Sequence, residues 1–178
     1  TDFVFGDSSG KKLSENDQPN PLGWYGATKL EGEQFVQSSG CRHAIIRLEW
    51  TYGRNGNNFI SKVLDAAAKS PKLKVVGDQV GSPTHTEDVA RALLRIICKR
   101  AHGLYHFAAE GYASRYEVAK FILEEKKIEK ELISCSSSAF PSPAKRPLNS
   151  RFDCSKIDSI LDFRRPLWQE SMRNYLSS

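Results

Sequence analysis

The sequence lacks the features by which several classes of protein are recognised. In its 178 residues no apolar run approaches the ~20 residues of a membrane span, so no membrane location is expected. Its four cysteines form no C-x-x-C pair and have no matching histidine spacing, which argues against a metal site or a disulfide framework and favours reduced thiols in a cytoplasmic protein. Basic residues are scattered and not interleaved with aromatic ones. The net charge of +5 is therefore typical of a solvated surface, the attraction of a small anion such as a nucleotide phosphate fits equally well, and nucleic-acid binding is not expected.

What the sequence does contain is an alternation of predicted strands and helices. Four apolar segments predict strands: "DFVF", "HAIIRLEW", "LKVVGD" and "LYHFAA". Between them and after them, helices are predicted from about Gly23 to Ser39, from Phe59 to before Pro71, from Thr86, after Ser114, and at 155–161 and 166–176. The stretch "SSSAFPSPAKRPLNSR" is rich in Ser and Pro and is expected to be irregular. Strands that alternate with helices favour an α/β fold whose parallel sheet is covered on both faces.

The pattern Tyr-x-x-x-Lys occurs twice, at Tyr25/Lys29 and at Tyr116/Lys120. On a helix, side chains four residues apart lie on one face. A lysine ammonium beside a phenol stabilises the phenolate, and such a tyrosine can exchange a proton with a substrate oxygen. Tyr25 stands at a helix start after a Pro/Gly loop, whereas Tyr116 accompanies an apolar helix stripe and is expected to be a half-buried surface residue. From the residues alone, Tyr25 and Lys29 are either a proton-transfer pair or surface side chains.

Four segments, in this order, carry a resemblance to a known family. They are "TDFVFGD…LSENDQPNPLGWYGATKLEGEQFV", "RLEWTYGRNGNNFISKVL", "VVGDQVGSPTHTEDVARAL" and "PAKRPLNSRFDCSKI". Together they resemble the extended short-chain dehydrogenase/reductase family and, within it, the dTDP-4-dehydrorhamnose reductases. The resemblance covers nearly the whole chain.

The resemblance implies a Ser/Thr-Tyr-Lys triad made of Thr1, Tyr25 and Lys29. Tyr25 would protonate the C4 oxygen of dTDP-4-dehydro-6-deoxy-L-mannose while NADPH (or NADH) delivers hydride to that carbon, giving dTDP-L-rhamnose. Lys29 would hold ribose hydroxyls of the cofactor and lower the pKa of Tyr25, so both residues would be cofactor contacts. Thr1 would orient the carbonyl oxygen.

The resemblance also implies a set of substrate contacts. Phe3 stands where these reductases usually have Tyr. Trp50 would pack against the deoxysugar ring, although a tryptophan at a strand end is also an ordinary core residue. Asn58 would contact the nucleotide-sugar, or would only cap the following helix. Arg146 suits a diphosphate because its guanidinium offers two parallel donors. The complete expected set is Thr1, Asp2, Phe3, Trp50, Asn58, Gln79, Ser82, Thr84 and Arg146, and His85 is the one histidine worth testing beside it.

The implied fold is the C-terminal half of a Rossmann-type doubly wound parallel sheet, residues 1–56 and 84–109, plus a substrate-binding region, residues 57–83 and 110–178. The glycine-rich turn with which the family cradles the cofactor pyrophosphate has no match here, and "GRNGNN" is a poor substitute. The chain therefore resembles the later part of a longer protein. By itself it is expected to bind NADPH weakly and to be inactive or poorly active.

Three further expectations follow from the resemblance. The partner is a nucleotide-sugar, not nucleic acid or a membrane, and a homodimer with Mg²⁺ at its interface is compatible with some members of the group. A related nucleotide-sugar epimerase or dehydratase is an alternative function. A non-catalytic NADP-binding regulatory subunit is another.

Overall fold

Strands and helices alternate along most of the chain in the computed structural model, which describes residues 1–7, 10–140, 142 and 144–177. The helices are α1 (Trp24–Ser38), α2 (Phe59–Lys69), α3 (Thr86–Cys98), α4 (Arg115–Glu125), α5 (Ser155–Asp158) and α6 (Trp168–Ser177). The strands are β1 (Ala44–Leu48), β2 (Thr51–Tyr52), β3 (Lys72–Val76), β4 (Val80–Gly81), β5 (Thr84–His85), β6 (Gly103–Phe107), β7 (Ala113–Ser114) and β8 (Glu131–Cys135).

Local sequence signals explain where the longer helices begin and end. Ser114 caps α4 in a reciprocal pair with Glu117, which confirms the predicted start of that helix. Gly40, just after the end of α1, has a positive φ of 72°, as expected of a glycine that ends a helix. α3 begins at Thr86 as predicted, but the capping position is His85, whose side chain makes no capping hydrogen bond.

Two predictions about the elements need correction. The segment "DFVF" does not form a strand: Asp2–Val4 is a 3-10 turn, in which Thr1 Oγ1 accepts from the Phe3 N–H and the Asp2 carbonyl accepts from the Phe5 N–H. A strand was not predicted at Glu131–Cys135, where β8 pairs along its whole length with β3. The strand β3, with which β8 pairs, lies far away in sequence, so the residues of β8 alone do not predict a strand.

The strands pair mostly in parallel, which confirms the α/β class. β1 pairs with β6, β2 with β5 and β3 with β8, all parallel, while β4 and β7 are antiparallel. Within the described ranges each of these sheets has two strands and is not part of a wider one.

Two hydrophobic cores lie under these sheets. One gathers α2, β3, α4 and α6 around buried residues such as Ile60, Val118 and Met172. The other gathers the first residues of the chain, α3, β6 and the segment 152–157 around residues such as Val4 and Phe107.

A buried ion pair fastens α1 to the second core. Arg47 Nη2 on β1 lies 2.7 Å from Glu33 Oε2 on α1, and Arg47 Nη1 lies 3.4 Å from His106 Nε2 on β6. The other ring nitrogen of His106 donates to the Leu13 carbonyl at 2.9 Å. Burial lowers the pKa of His106 to about 3, so the ring is neutral and can accept from Arg47.

Among the described helices, none has both the length and the apolar composition needed to cross a bilayer.

Candidate active site

A cleft of about 1230 Å³ opens between α2, β3 and the segment before Asn149. Of the residues expected to bind substrate, Trp50, Asn58, Gln79 and Arg146 line it. Asp7 is the only acidic residue among the described residues of its wall, and the basic ones are Lys62, Lys72, Lys74, Arg115, Lys145 and Arg146. This excess of positive charge favours an anionic ligand.

The turn that carries Thr1 packs directly on the start of α1. Gly26 makes this approach feasible, because a Cβ there would collide with the Phe3 carbonyl. The rings of Phe3 and Tyr25 meet edge to face at 5.3 Å, and Lys29 Nζ lies 5.6 Å from the centre of the Tyr25 ring. The fold thus brings together the two segments that carry the expected triad, the turn after Thr1 and the helix α1.

Among the described residues, the hydroxyl groups of Thr1 and Tyr25 are not hydrogen-bonded to each other. Thr1 Oγ1 donates to Asp2 Oδ1 at 3.2 Å and accepts from the Phe3 N–H at 3.4 Å. Tyr25 is about half exposed, at 49%, and its hydroxyl makes no hydrogen bond with any residue that the structure describes. None of Thr1, Tyr25 and Lys29 belongs to the described wall of the cleft, whereas Leu22, three residues before Tyr25, does.

Trp50 holds an unusual backbone conformation at the mouth of the cleft. Its φ is +45°, a left-handed value that is costly for a bulky residue. The Trp50 carbonyl accepts from the Thr84 N–H at 3.2 Å, which ties this turn to β5. A Cβ on Gly81 would lie 2.8 Å from Trp50 Cε2, so only glycine allows β4 to approach the indole this closely. Strain of this kind is typical of functional sites.

Buried hydrogen bonds fix the loop that follows Gln79. Ser82 and Thr84 are fully buried, and their hydroxyls bond to the backbone: Ser82 Oγ donates to the Ala109 carbonyl at 2.7 Å, and Thr84 Oγ1 donates to the Ser82 carbonyl at 3.0 Å. These two residues shape the loop and do not reach the cleft. His85 is buried between the rings of Tyr52 and Tyr175, at 5.2 and 5.6 Å.

Asn58 is a helix cap. Its Oδ1 accepts from the N–H groups of Ile60 and Ser61 at 2.9 and 3.1 Å, and its Nδ2 donates to the Gly53 carbonyl at 3.0 Å. The amide is engaged at both ends, although its outer face lines the cleft.

Two carboxyl groups are buried behind the cleft. Asp2 accepts from the Ser150 hydroxyl at 2.8 Å, and Glu49 accepts from the backbone N–H of Ser82 at 2.7 Å and of Phe152 at 3.4 Å. Burial raises the pKa of both carboxyls, and the negative charge of Asp2 raises that of Glu49 further.

Sequence reasoning missed Glu49 and Arg115. Glu49 is the last but one residue of the apolar segment "HAIIRLEW", and a carboxylate in such a segment is a signal that could have been noticed. Arg115 gives no such signal, because it stands at the first position of α4, where a charged residue is ordinarily exposed. In the structure its guanidinium lies 3.4 Å from the centre of the Trp50 ring.

The described residues fit one part of a nicotinamide cofactor site. Tyr25 and Lys29 are exposed side by side, as residues that hold ribose hydroxyls need to be. The glycine-bearing turn before α2 does not fit the pyrophosphate, because Asn58 already occupies the free N–H groups at the start of that helix. The part of the chain that the structure describes has no group of three or more His, Cys, Asp and Glu side chains able to hold a metal ion.

Nearly the whole chain is similar to known proteins. The chain is 35% identical to a dTDP-4-dehydrorhamnose reductase of Sinorhizobium fredii over 97% of its own length and 62% of that protein. A crystal structure of a dTDP-4-dehydrorhamnose reductase from Clostridium acetobutylicum superposes with a TM-score of 0.93 at 36% identity, covering 99% of this chain and 62% of that one. The reductase of Bacillus anthracis, solved in complex with NADP, also gives a TM-score of 0.93, at 30% identity, with 99% and 63% covered.

The chain thus spans less than two thirds of the length of these relatives. The sequence profile of the RmlD substrate binding domain matches residues 1–178. The chain belongs to the RmlD substrate-binding domain family.

Proposed function

We propose that the complete protein containing this chain is an NADPH-dependent reductase, which reduces the C4 keto group of dTDP-4-dehydro-6-deoxy-L-mannose to give dTDP-L-rhamnose. The observation that carries the proposal is the packing of the Thr1 turn on α1 beside a basic cleft. Reductases named for this activity match nearly the whole chain.

In this proposal the residues of the chain protonate the substrate and orient it, and NADPH supplies the hydride when bound. Tyr25 donates its hydroxyl proton to the C4 oxygen as negative charge develops there. Lys29, on the same helix face, stabilises the phenolate that remains and holds ribose hydroxyls. Thr1 turns its hydroxyl from Asp2 to the substrate carbonyl.

The substrate would lie in the basic cleft. Arg146 is exposed on its wall, and no hydrogen bond engages its guanidinium within the described chain, so it is free to bind the diphosphate. Gln79 and the outer face of Asn58 are the polar groups nearest to the remainder of the ligand. Ser82 and Thr84 act by fixing the loop.

We also propose that residues 1–56 and 84–109 form the cofactor-side unit and residues 57–83 and 110–178 the substrate-side unit. Most members of the two hydrophobic cores support this division, although Tyr52 and Ala109 pack in the core of the substrate-side unit. The segment 152–157 departs from the division too, because Phe152 and Ile157 pack in the core of the cofactor-side unit.

A homodimer is a further proposal. Large apolar side chains stay exposed on α1 and α3, among them Trp24, Phe35, Leu94 and Ile97, and a second copy could cover them. The Mg²⁺ ion rests on the resemblance alone. Sedimentation of the complete protein with and without EDTA tests the dimer and the ion. A dimer in both conditions supports a dimer that does not need the ion, and a monomer in both conditions contradicts the dimer.

Free thiols at all four cysteines fit the proposed cytoplasmic location.

The two Tyr-x-x-x-Lys pairs provide a matched test of the reaction. We expect Tyr25→Phe to lower kcat of the complete protein by about 10²–10⁴, because a general acid contributes roughly that factor. Tyr116→Phe, the same change in the other pair, should leave kcat unchanged. The measurement is NADPH oxidation with the 4-keto nucleotide-sugar. Equal rates in the wild type and in Tyr25→Phe would refute the role of Tyr25.

A further inference from the structure

Arg115 occupies a position that neither the family resemblance nor the sequence pattern assigns to the ligand. It is the first residue of α4, and its backbone N–H donates to the Gln79 carbonyl at 3.3 Å. Its guanidinium carbon lies 3.4 Å from the centre of the Trp50 ring and 5.0 Å from that of Phe59, and the side chain lines the cleft. The group is therefore held between two aromatic rings at the cleft wall.

The carboxyl groups near Arg115 are engaged elsewhere. Asp2 accepts from Ser150 and Thr1, and Glu49 accepts from the backbone N–H groups of Ser82 and Phe152. No acceptor among the described residues forms a hydrogen bond or an ion pair with the guanidinium of Arg115. Burial lowers its pKa to about 10, which still leaves it positively charged at neutral pH. A mostly buried cation without an acceptor is costly for the protein, unless a ligand supplies the acceptor.

Stacking on an aromatic face determines which part of the guanidinium is available. The guanidinium carbon of Arg115 lies over the Trp50 ring, a position that leaves N–H groups at the edge of the guanidinium available to a ligand. A phosphate can accept two of these N–H groups in parallel. Arg146, on the same cleft wall, is close enough that its charge contributes to the lowered pKa of Arg115. Two like charges facing one cleft are stabilised when an anion lies between them.

We propose that Arg115 is a phosphate-binding residue of the nucleotide-sugar site, held in place by the Trp50 ring. This proposal rests on the proposed function and adds a second guanidinium to the diphosphate site. It also means that the deoxysugar cannot use the Trp50 face that Arg115 covers.

The test compares ligands that differ in their phosphates. Thymidine 5′-diphosphate and thymidine are titrated, by calorimetry, into the complete protein and into the variants Arg115→Met and Arg115→Lys. We expect Arg115→Met to weaken binding of the diphosphate by about 10- to 100-fold, the loss typical of a hydrogen bond to a charged group. Binding of thymidine should not change. Arg115→Lys should recover only part of the loss, because an ammonium has no planar fork.

Arg91→Met is the matched control. Arg91 also stacks on an aromatic ring, 4.4 Å from the centre of Phe163, but it does not line the cleft. The Arg91→Met variant should bind both thymidine 5′-diphosphate and thymidine as the wild type does.

Three outcomes would overturn the proposal. If Arg115→Met and Arg115→Lys bind the diphosphate as the wild type does, Arg115 does not contact the phosphates, while the proposed function stands. If either variant weakens diphosphate and thymidine equally, its effect is on the fold of the cleft. If the wild type binds neither ligand and does not reduce the 4-keto sugar, the proposed function fails together with this inference.

Discussion

The buried carboxyl of Glu49 shows how much a single residue contributes to the arrangement of this site. Its two oxygens accept from the backbone of the loop at Ser82 and of the segment at Phe152, so it joins both to the end of β1. Trp50 follows it directly and takes the left-handed backbone conformation. Glu49 therefore positions the cleft wall without touching the cleft.

The raised pKa of Glu49 predicts a specific pH dependence of stability. A carboxyl whose pKa is higher in the folded state binds its proton more tightly there. Its contribution to the free energy of unfolding is fully present below the ordinary pKa of 4.5 and is lost as the pH rises through the raised value. Glu49→Gln cannot titrate, so the wild type should lose stability relative to this variant as the pH rises. Urea unfolding at intervals between about pH 4.5 and about pH 8 measures this difference. Parallel stability curves for the two proteins would contradict the buried-acid assignment.

Other residues of the site differ in how far the sequence alone could identify them. Tyr25 and Lys29 are a local pattern on one helix, and the cap at Asn58 is also local, so both were predictable. The contact of Arg115 with Trp50 joins the start of α4 to the end of β1, and no local pattern reports it. The burial of Ser82 and Thr84 likewise depends on Ala109, which β6 brings beside them.

At the scale of elements, the decisive contact is the packing of α1 on the turn Asp2–Val4. It depends on Gly26, the one buried residue of α1, where the helix backbone meets the Phe3 carbonyl. The same contact places Tyr25 beside Phe3 and next to Thr1. The position of Tyr25, the proposed proton donor, thus depends on the next residue being a glycine.

Two glycines of α1 give a matched test of this contact. Gly26→Ala should lower the free energy of unfolding by about 1–3 kcal/mol, because the added methyl group forces α1 away from the turn. Gly32→Ala, on the same helix with no atom within 4 Å of the new Cβ, should instead raise it by up to about 1 kcal/mol, since alanine favours helix. Thermal and urea unfolding measure both changes, and kcat should fall only in Gly26→Ala. A stabilised, fully active Gly26→Ala variant would contradict the proposed packing.

Elements were predictable where the signal lies within a few residues. The caps of α2 and α4 and the glycine after α1 are of this kind. The turn at Asp2–Val4 is apolar enough to suggest a strand, but its backbone bonds close locally because it has no partner strand among the described residues. β8 became a strand through its pairing with β3, which its own sequence does not specify.

At the scale of the molecule, the basic cleft is lined by residues of the first core, among them Ile60, Val118 and Met172, and the second core contains Val4 of the turn that packs on α1. In the proposed function the cleft holds the sugar nucleotide, and Tyr25 and Lys29, which do not line the cleft, face the cofactor. The excess of Lys and Arg on the cleft wall matches the anionic character of the proposed substrate.

The most direct test of the central claim follows the hydride itself. The complete protein is given NADPH deuterated at the transferred position together with the 4-keto nucleotide-sugar, and the products are analysed by mass spectrometry and NMR. A reductase oxidises one NADPH for each sugar reduced, so the account predicts a product that carries deuterium at C4. Conversion of the sugar without net oxidation of NADPH, or binding of NADPH with no change in the sugar, would contradict it.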